Sequence, residues 1–502
     1  MDLSRWIARN AAWRPHWPAL VFADEPISYR ALDAGIAQLA AALAGTFAVK
    51  RGDRIAVLSY NRPEYVALIF AAARIGAIVV PLNWRLAPPE HGQILADADP
   101  ALLVVDGDLQ ARAEDLARMA PRAHRAAIDF ALDGWTELAD ACDAAGPPPA
   151  PVGRPEDPVL LVYTSGTTGR PKGAVLTQGA VTWNAVNSVW AHDFTSEDRI
   201  LTTLPLFHVG GLNIQTLPAL HAGATVLLHK RFAPAEMLAA IARDRPTVTL
   251  LVPAVMKALT EHPQWERADL SSLRLAMAGS SVVPVDLIRP FHARGVPVGQ
   301  VYGATETGPV SIVLRGIDAM RKEGACGTPA IHCDARIVDD RDEDVKPGER
   351  GEILLRGPHI TQGYWRDSAS TSAAFLGGWF RTGDIGHQDE DGHFWVDDRK
   401  KDMIISGGEN IYPAELEAVL ETDPTIAEAA VVARPDAKWG EVPVAIVVPR
   451  AGAAVDPDAV KARFAGRLAK FKHPHDVVIV DSLPRNAMGK VLRYVLRETL
   501  RG

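Results

Sequence analysis

The chain of 502 residues is long enough for several domains of ~150 residues around a large buried core, which excludes a small scaffold held by disulfides or metal. A composition of 48% hydrophobic, 23% charged and 7% aromatic residues excludes disordered and fibrous classes. With 53 Lys and Arg against 61 Asp and Glu the net charge is -8, so nothing draws the chain as a whole to nucleic acid.

The first residues, MDLSRWIARN, alternate charge with apolar side chains and lack the continuous apolar core of a secretory signal. Ser28 is placed to cap a helix running to about Leu43, and Arg54 to Ser59 reads as a strand. Glu64 to Ile75 is helical and Ile78 to Pro81 extended. The longest apolar stretch, Val66 to Leu82, is broken by Arg74 and reads as a buried helix entering a strand, not a transmembrane segment. Cys142, Cys326 and Cys333 form neither a CxxC pair nor a metal-ligand set, which fits a reducing, cytoplasmic setting. The Pro-rich stretch 146–158 is a connector. Val159 to Tyr163, Thr225 to Leu228 and Thr247 to Val252 are strands of a second sheet layer, each beside helical segments. From Ala335 the texture turns to short strands separated by Gly and Asp, a small antiparallel unit over about 335–398. Beyond DDRKKD, Asp397 to Asp402, a compact pattern follows: helix Pro413 to Leu420, strand Ala429 to Ala433, strand Val442 to Pro449 and helix Pro457 to Ala469. The end from Lys461 on is locally basic.

The fold class expected is α/β: a large N-terminal domain, 1–398, of stacked, mostly parallel sheets with helices and a small antiparallel unit. A hinge at 399–401 leads to a small, mobile α+β C-terminal domain, 402–502.

The segment VLLVYTSGTTGRPKGAVLTQ, Val159 to Gln178, runs an apolar strand into Thr164, Ser165, Gly166, Thr167, Thr168 and Gly169, then Lys172. Glycines let backbone N–H groups converge on an anion, hydroxyls add donors, and Lys172 adds a point charge for phosphate. This is a polyphosphate cradle, although its spacing does not fit GxxxxGK[ST]. YTSGTTGRPKG closely resembles the signature of the adenylate-forming superfamily of acyl-CoA synthetases, adenylation domains and luciferases. Further motifs stand in the family order: LPLFHVGG at Leu204, AGSS at Ala278, QVYGATETG at Gln300, GWFRTGDIG at Gly378, DRKKDMIISGGENIYPAELE at Asp398 and PRNAMGK at Pro484. The resemblance spans nearly the whole chain.

It implies ATP, Mg²⁺ and coenzyme A as co-reactants. Thr168 and Glu306 are the residues placed to hold Mg²⁺ against the phosphates, oxygen ligands of the kind that ion prefers. Thr164 to Gly169 and Lys172 hold the phosphates. Gly279, Ser280, Ser281, Gln300, Tyr302, Gly303 and Thr305 lie where relatives bind adenine and the α-phosphate, and Asp384 and Arg399 where they hold the ribose. Lys490 bridges the attacking carboxylate and the α-phosphate, a charge-stabilising role at five-coordinate phosphorus. Lys401 is the implied hinge about which the small domain swings, presenting Gly407 and Gly408 to the pantetheine channel. Trp439 lies near that route, and Phe471 and His473 lie where relatives contact CoA, His473 departing from the Arg of some relatives. His208 resembles a gate beside the acyl pocket, whose lining comprises His208, Gly211, Val255, Val301 and Val310.

Within the family, an amino-acid adenylation domain is expected to carry Asp at the position of His208, and a carrier-loading acyl-AMP ligase an insertion for which Val301 to Arg399 leaves little room. Malonate-specific relatives place Arg where this chain has Val301. CoA ligation of a monocarboxylic acid is therefore expected, with a medium-length, branched or alicyclic fatty acid as the substrate read from the apolar lining, and an aryl-CoA ligase of benzoate or coumarate type as the alternative. A noncatalytic nucleotide-binding protein is expected to have lost a charge such as Lys172, Glu306, Asp384, Arg399 or Lys490, and all five are present. PRNAMGK also resembles a segment that lysine acetyltransferases modify, so acetylation of Lys490 is an expected control. The sequence carries no signal for assembly, and a homodimer is kept as one expectation.

Overall fold

In the computed structural model, the chain is described for residues 2–165, 171–279, 283–399, 402–406, 409–436, 439–465, 467–468, 470–485, 489 and 491–500. The βαβ alternation begins with strand Arg54–Leu58, helix Pro63–Ile75 and strand Ile78–Pro81, the two strands pairing in parallel. Pro63 opens the helix, and Gly76 at φ 74° closes it in the left-handed conformation that Gly adopts without steric cost. Tyr65, Val66, Leu68, Ile69 and Phe70 on this helix are buried, each contributing about 1.5–3 kcal/mol of transfer free energy. The apolar stretch from Val66 is thus a core helix followed by a core strand. No helix among the described residues is long and apolar enough to cross a membrane. Ser28 caps helix Tyr29–Ala44 as its position requires, accepting the Ala31 N–H.

Contacts divide the chain into two units, Met1–Ala335 with Leu355–Arg381, and Arg336–Leu354 with Thr382–Gly502. The first holds two large sheets. A seven-stranded sheet runs in the order Thr136–Glu137, His124–Ile128, Leu102–Asp106, Arg54–Leu58, Ile78–Pro81, Pro158–Ser165 and Pro171–Thr177. It is parallel except for the last pair, an antiparallel hairpin. The centre of a nine-stranded sheet runs Val298–Tyr302, Leu275–Gly279, Val248–Leu251, Arg199–Thr202 and Thr225–Leu228, all parallel. Parallel strands buried on both faces demand continuous apolar runs, which Leu102–Asp106 and Thr225–Leu228 provide.

In the second unit, residues 336–338, 351–354 and 382–388 run as strands beside Phe394–Arg399, which pairs antiparallel with 384–388. The expected boundary at 399–402 falls inside this unit. Side-chain chemistry shows why: Arg350 donates to Glu415 Oε1 at 2.8 Å, pairs with Asp397 at 3.2 Å and lies 4.7 Å from the Tyr412 ring. Lys472 joins Glu415 from the other side at 2.6 Å, and His387 meets Asp397 at 2.9 Å. The α+β expectation is met by helix Pro413–Glu421, the antiparallel strands Ile426–Asp436 and Gly440–Pro449, and strand Asp476–Ile479 parallel to the latter. The helix expected to reach Ala469 ends at Ala462. There the chain tightens into i→i+3 bonds, Phe464 N–H to Lys461 O and Ala465 N–H to Ala462 O, just before Gly466, a poor helix former.

Candidate functional site

In the first unit the hairpin Pro158–Ser165/Pro171–Thr177 sets Thr164 directly opposite Lys172. Residues 166–170, including Gly166, Thr167, Thr168 and Gly169, lie outside the described residues, and for Ser165 only the backbone is described. Lys172 Nζ donates to Ser370 Oγ at 2.6 Å and stands 5.5 Å from the centre of the Tyr364 ring. Glu306 sits on a single 3₁₀ turn, Thr305–Thr307, and is almost fully buried. Its Oε1 accepts the Tyr364 hydroxyl at 3.0 Å and the Thr164 hydroxyl at 3.3 Å, while its carbonyl accepts the Thr361 N–H at 2.7 Å. Burial, and then the Glu306 carboxylate, push the Tyr364 phenol above its usual range, so it stays a donor. Thr164, Lys172 and Glu306, far apart in sequence, are therefore brought together through Tyr364 and Ser370, which the sequence reading missed.

The acid has one oxygen, Oε2, with no hydrogen bond among the described residues. No three His, Cys, Asp or Glu side chains among those residues converge into a protein-only cage. A single carboxylate beside hydroxyls fits Mg²⁺, which keeps phosphate and water ligands and takes one or two from protein.

The segment after Glu306 is held by buried amides. Asn184 Oδ1 accepts the Val310 N–H at 2.9 Å, Asn187 Nδ2 donates to Val310 O at 3.2 Å, and Asn213 Nδ2 donates to Gly308 O at 3.0 Å. A Cβ on Gly303 would come within 1.9 Å of Pro309 O, so only glycine lets this loop close. Gln300, Val301, Tyr302 and Gly279 stand at the C-terminal ends of adjacent parallel strands, where α/β sheets place ligands. The Gln300 Nε2 is buried without a hydrogen-bond partner among the described residues; Ser280 and Ser281 lie outside them. Val255, Val301 and Val310 are buried.

His208, partly exposed, follows Phe207, whose ring packs edge-on to Trp84. Its Nδ1 accepts the Gly210 N–H at 3.0 Å, which places the proton of the neutral ring on Nε2. Burial first, and the nearby Arg85 cation second, hold its pKa down to about 4. The imidazole is thus a neutral hydrogen-bond donor at physiological pH.

In the second unit, Asp384 is buried on strand Trp379–Gln388, its N–H bound to Thr382 Oγ1 at 3.1 Å, with the Arg399 backbone opposite it in register. His473 bonds the Leu468 carbonyl at 3.0 Å, and Trp439 is exposed on a turn anchored by Asp436. For Arg399 and Phe471 only the backbone is described, and Lys401, Gly407, Gly408 and Lys490 lie outside the described residues.

Residues 7–365 match the family model described as AMP-binding enzyme, and 415–490 match the AMP-binding enzyme C-terminal domain. An indoleacetate–CoA ligase of Aromatoleum aromaticum is 49% identical over 99% of this chain and 98% of its own length. A feruloyl-CoA synthase of an Amycolatopsis species is 41% identical over 99% and 98%. Among solved structures, o-succinylbenzoate coenzyme A synthetase of Bacillus subtilis, in complex with ATP and magnesium ion, aligns with a TM-score of 0.87 at 32% identity. That alignment covers 97% of this chain and 98% of the other.

Proposed function

The chain belongs to the AMP-binding enzymes and is an ATP-dependent CoA ligase, and from that premise we propose that its acid is aromatic. The observation that carries this reading is the near full-length similarity to ligases named for indoleacetate and ferulate. The buried, uncharged Val255, Val301 and Val310 suit a flat apolar ring as well as an alkyl chain. The fatty acid expected from that lining alone is the less favoured reading.

In this reading the carboxylate attacks the α-phosphorus of ATP, pyrophosphate leaves, and an acyl-adenylate forms; the thiol of CoA then attacks its carbonyl carbon and AMP leaves. Lys172, beside Thr164 and Ser370, neutralises phosphate charge. Glu306 is the carboxylate that holds Mg²⁺, and the ion supplies neutralisation of the polyphosphate. The unmatched amide of Gln300 and the ring of Tyr302 receive the base, Asp384 and Arg399 the ribose, and Lys490 the carboxylate and α-phosphate. His208 can donate from Nε2 to a carboxylate oxygen without adding charge. Lys401 serves as the hinge, and Gly407, Gly408, Trp439, Phe471 and His473 as the CoA route. Acetylation of Lys490 belongs to this reading on the resemblance of PRNAMGK, and deacetylase-reversible loss of activity tests it; a homodimer has no sequence signal behind it, and a sedimentation mass decides it.

The decisive experiment is pyrophosphate release with Mg-ATP across indoleacetate, ferulate, benzoate and octanoate, each with and without CoA. Release with an aromatic acid and CoA-dependent thioester plus AMP is the expected result. Turnover confined to octanoate would overturn the aromatic reading, and adenylate that CoA cannot discharge would move the thiol to a carrier protein.

A further inference from the structure

Past His208 the chain forms a π-helical turn, Gly210–Thr216, a conformation that is rare and clusters at functional sites. It carries Gln215, whose side chain is buried and whose Oε1 and Nε2 both lack a hydrogen-bond partner among the described residues. The polar groups beside it are already committed. Thr202 Oγ1 pairs with Thr216 Oγ1 at 3.1 Å, Thr216 donates to Gly211 O at 2.6 Å, and Thr203 is turned to the Met237 sulfur at 3.8 Å. The rest of the surroundings, Leu201, Leu204, Leu250 and Gly211, offer no side-chain partner. The space is too narrow for a water molecule, so solvent does not satisfy the amide either.

A buried amide with every site unmet is costly unless something else meets it. Its location says what. Leu204, Gly211 and Gln215 border this space together with Thr202, Thr203 and Leu250, which stand at or near the C-terminal ends of neighbouring parallel strands. Two strands further along the same sheet edge stands Val301 of the acyl lining. At about 4.8 Å per strand, Leu250 lies roughly 10 Å and Thr202 roughly 14 Å from Val301 along that edge. The turn is seated firmly: a Cβ on Gly211 would lie 2.4 Å from Pro205 O, so the backbone that presents Gln215 is pressed against the Leu204–Pro205 segment.

We propose that Gln215 is the specificity-determining residue at the distal end of the acyl pocket, hydrogen-bonding a polar group on the ring of the aromatic acid. The inference rests on the aromatic reading above. Having both donors and an acceptor, the amide can accept from a ring N–H or phenolic O–H and donate to a ring oxygen. An acid without such a group leaves Gln215 unpaired in the complex, and sites of that kind discriminate strongly. For the ring to reach Gln215 the side chains bordering this narrow space must part, while the carboxylate stays at the His208 end.

The test uses pairs of acids of equal shape, indole-3-acetate against 1-benzothiophene-3-acetate and 4-hydroxyphenylacetate against 4-methylphenylacetate, with kcat/KM measured for the whole enzyme. The wild type is expected to favour the polar member of at least one pair by roughly 30-fold or more, and Gln215→Leu to reduce that ratio to within about 3-fold while keeping turnover of the apolar member. Gln215→Met, a closer match in length, gives the same readout if the leucine variant does not fold. An undiminished ratio in a folded variant, or a wild type that does not discriminate, overturns the role of Gln215 and leaves the aromatic reading standing. Failure of every aromatic acid, with turnover of an alkyl acid, overturns both.

Discussion

The Tyr364 hydroxyl donates to Oε1 of Glu306 at 3.0 Å, fixing one carboxylate oxygen and leaving Oε2 without a hydrogen bond among the described residues. Removing that donor with Tyr364→Phe frees the acid to rotate. The expected outcome is an about tenfold lower kcat for adenylate formation and a higher Mg²⁺ requirement, with the KM for the acid unchanged and stability lowered by about 1 kcal/mol. Pyrophosphate release titrated with Mg²⁺, and thermal unfolding, read the two effects separately.

Lys172 bonds Ser370 at 2.6 Å, an arrangement that holds the ammonium in place before nucleotide arrives. Lys172→Met is expected to raise the KM for ATP by one to two orders of magnitude, and Ser370→Ala by only a few-fold, because the second change removes the support and not the charge. Initial rates over a range of Mg-ATP at saturating acid distinguish them.

If Lys490 acts only in the first half-reaction, Lys490→Ala lowers pyrophosphate release by about a hundredfold or more and leaves thioester formation from a supplied acyl-adenylate within a few-fold of wild type. Equal losses in both halves would contradict that role.

Two fully buried histidines set the response to acid. Burial, the largest cause in each case, holds His192 and His359 down to about 4, and both rings are unexposed. Each folded-state value lies below the unfolded value of about 6.5, so the neutral form is the folded one. Stability is therefore complete above pH 6.5 and falls progressively as the pH drops toward 4, by on the order of 3 kcal/mol per group at most. Unfolding temperature measured from pH 7.5 to 4 should decline over that window, and His359→Asn should flatten the curve even where it lowers stability at neutral pH.

Much of this was legible in order along the chain. Pro63 and Gly76 punctuate a helix in the sequence as clearly as in the fold, and the run from Val159 to Lys172 raises the expectation of an anion site. Glu306 and Thr164 were legible as candidates, but their common partner was not: Tyr364 lies in TQGYWRDS, where nothing local separates a site hydroxyl from a core ring. Gln215 was hidden for the same reason, since an amide among apolar neighbours gains its meaning only from the partners it lacks in three dimensions. The contacts that cross the expected boundary were also out of reach. The change of composition after Asp397 is real, yet Arg350 ties the strands before it to the helix after it through contacts between residues more than forty positions apart.

Arg350 also has a kinetic consequence. It touches Asp397 and Glu415, which flank Lys401 in sequence, so if Lys401 is the hinge proposed above, a swing about it would separate at least one of the pairs. Ion pairs this near the surface are worth about 1 kcal/mol, enough to bias two arrangements by about fivefold but far too little to lock either. On that hinge the arginine would act as a weak spring on the catalytic cycle, and replacing it with Met would change how long the enzyme dwells before one half-reaction yields to the other. Because such pairs are screened by salt, rising ionic strength relaxes that spring and shifts the rate balance between adenylate formation and thioester release.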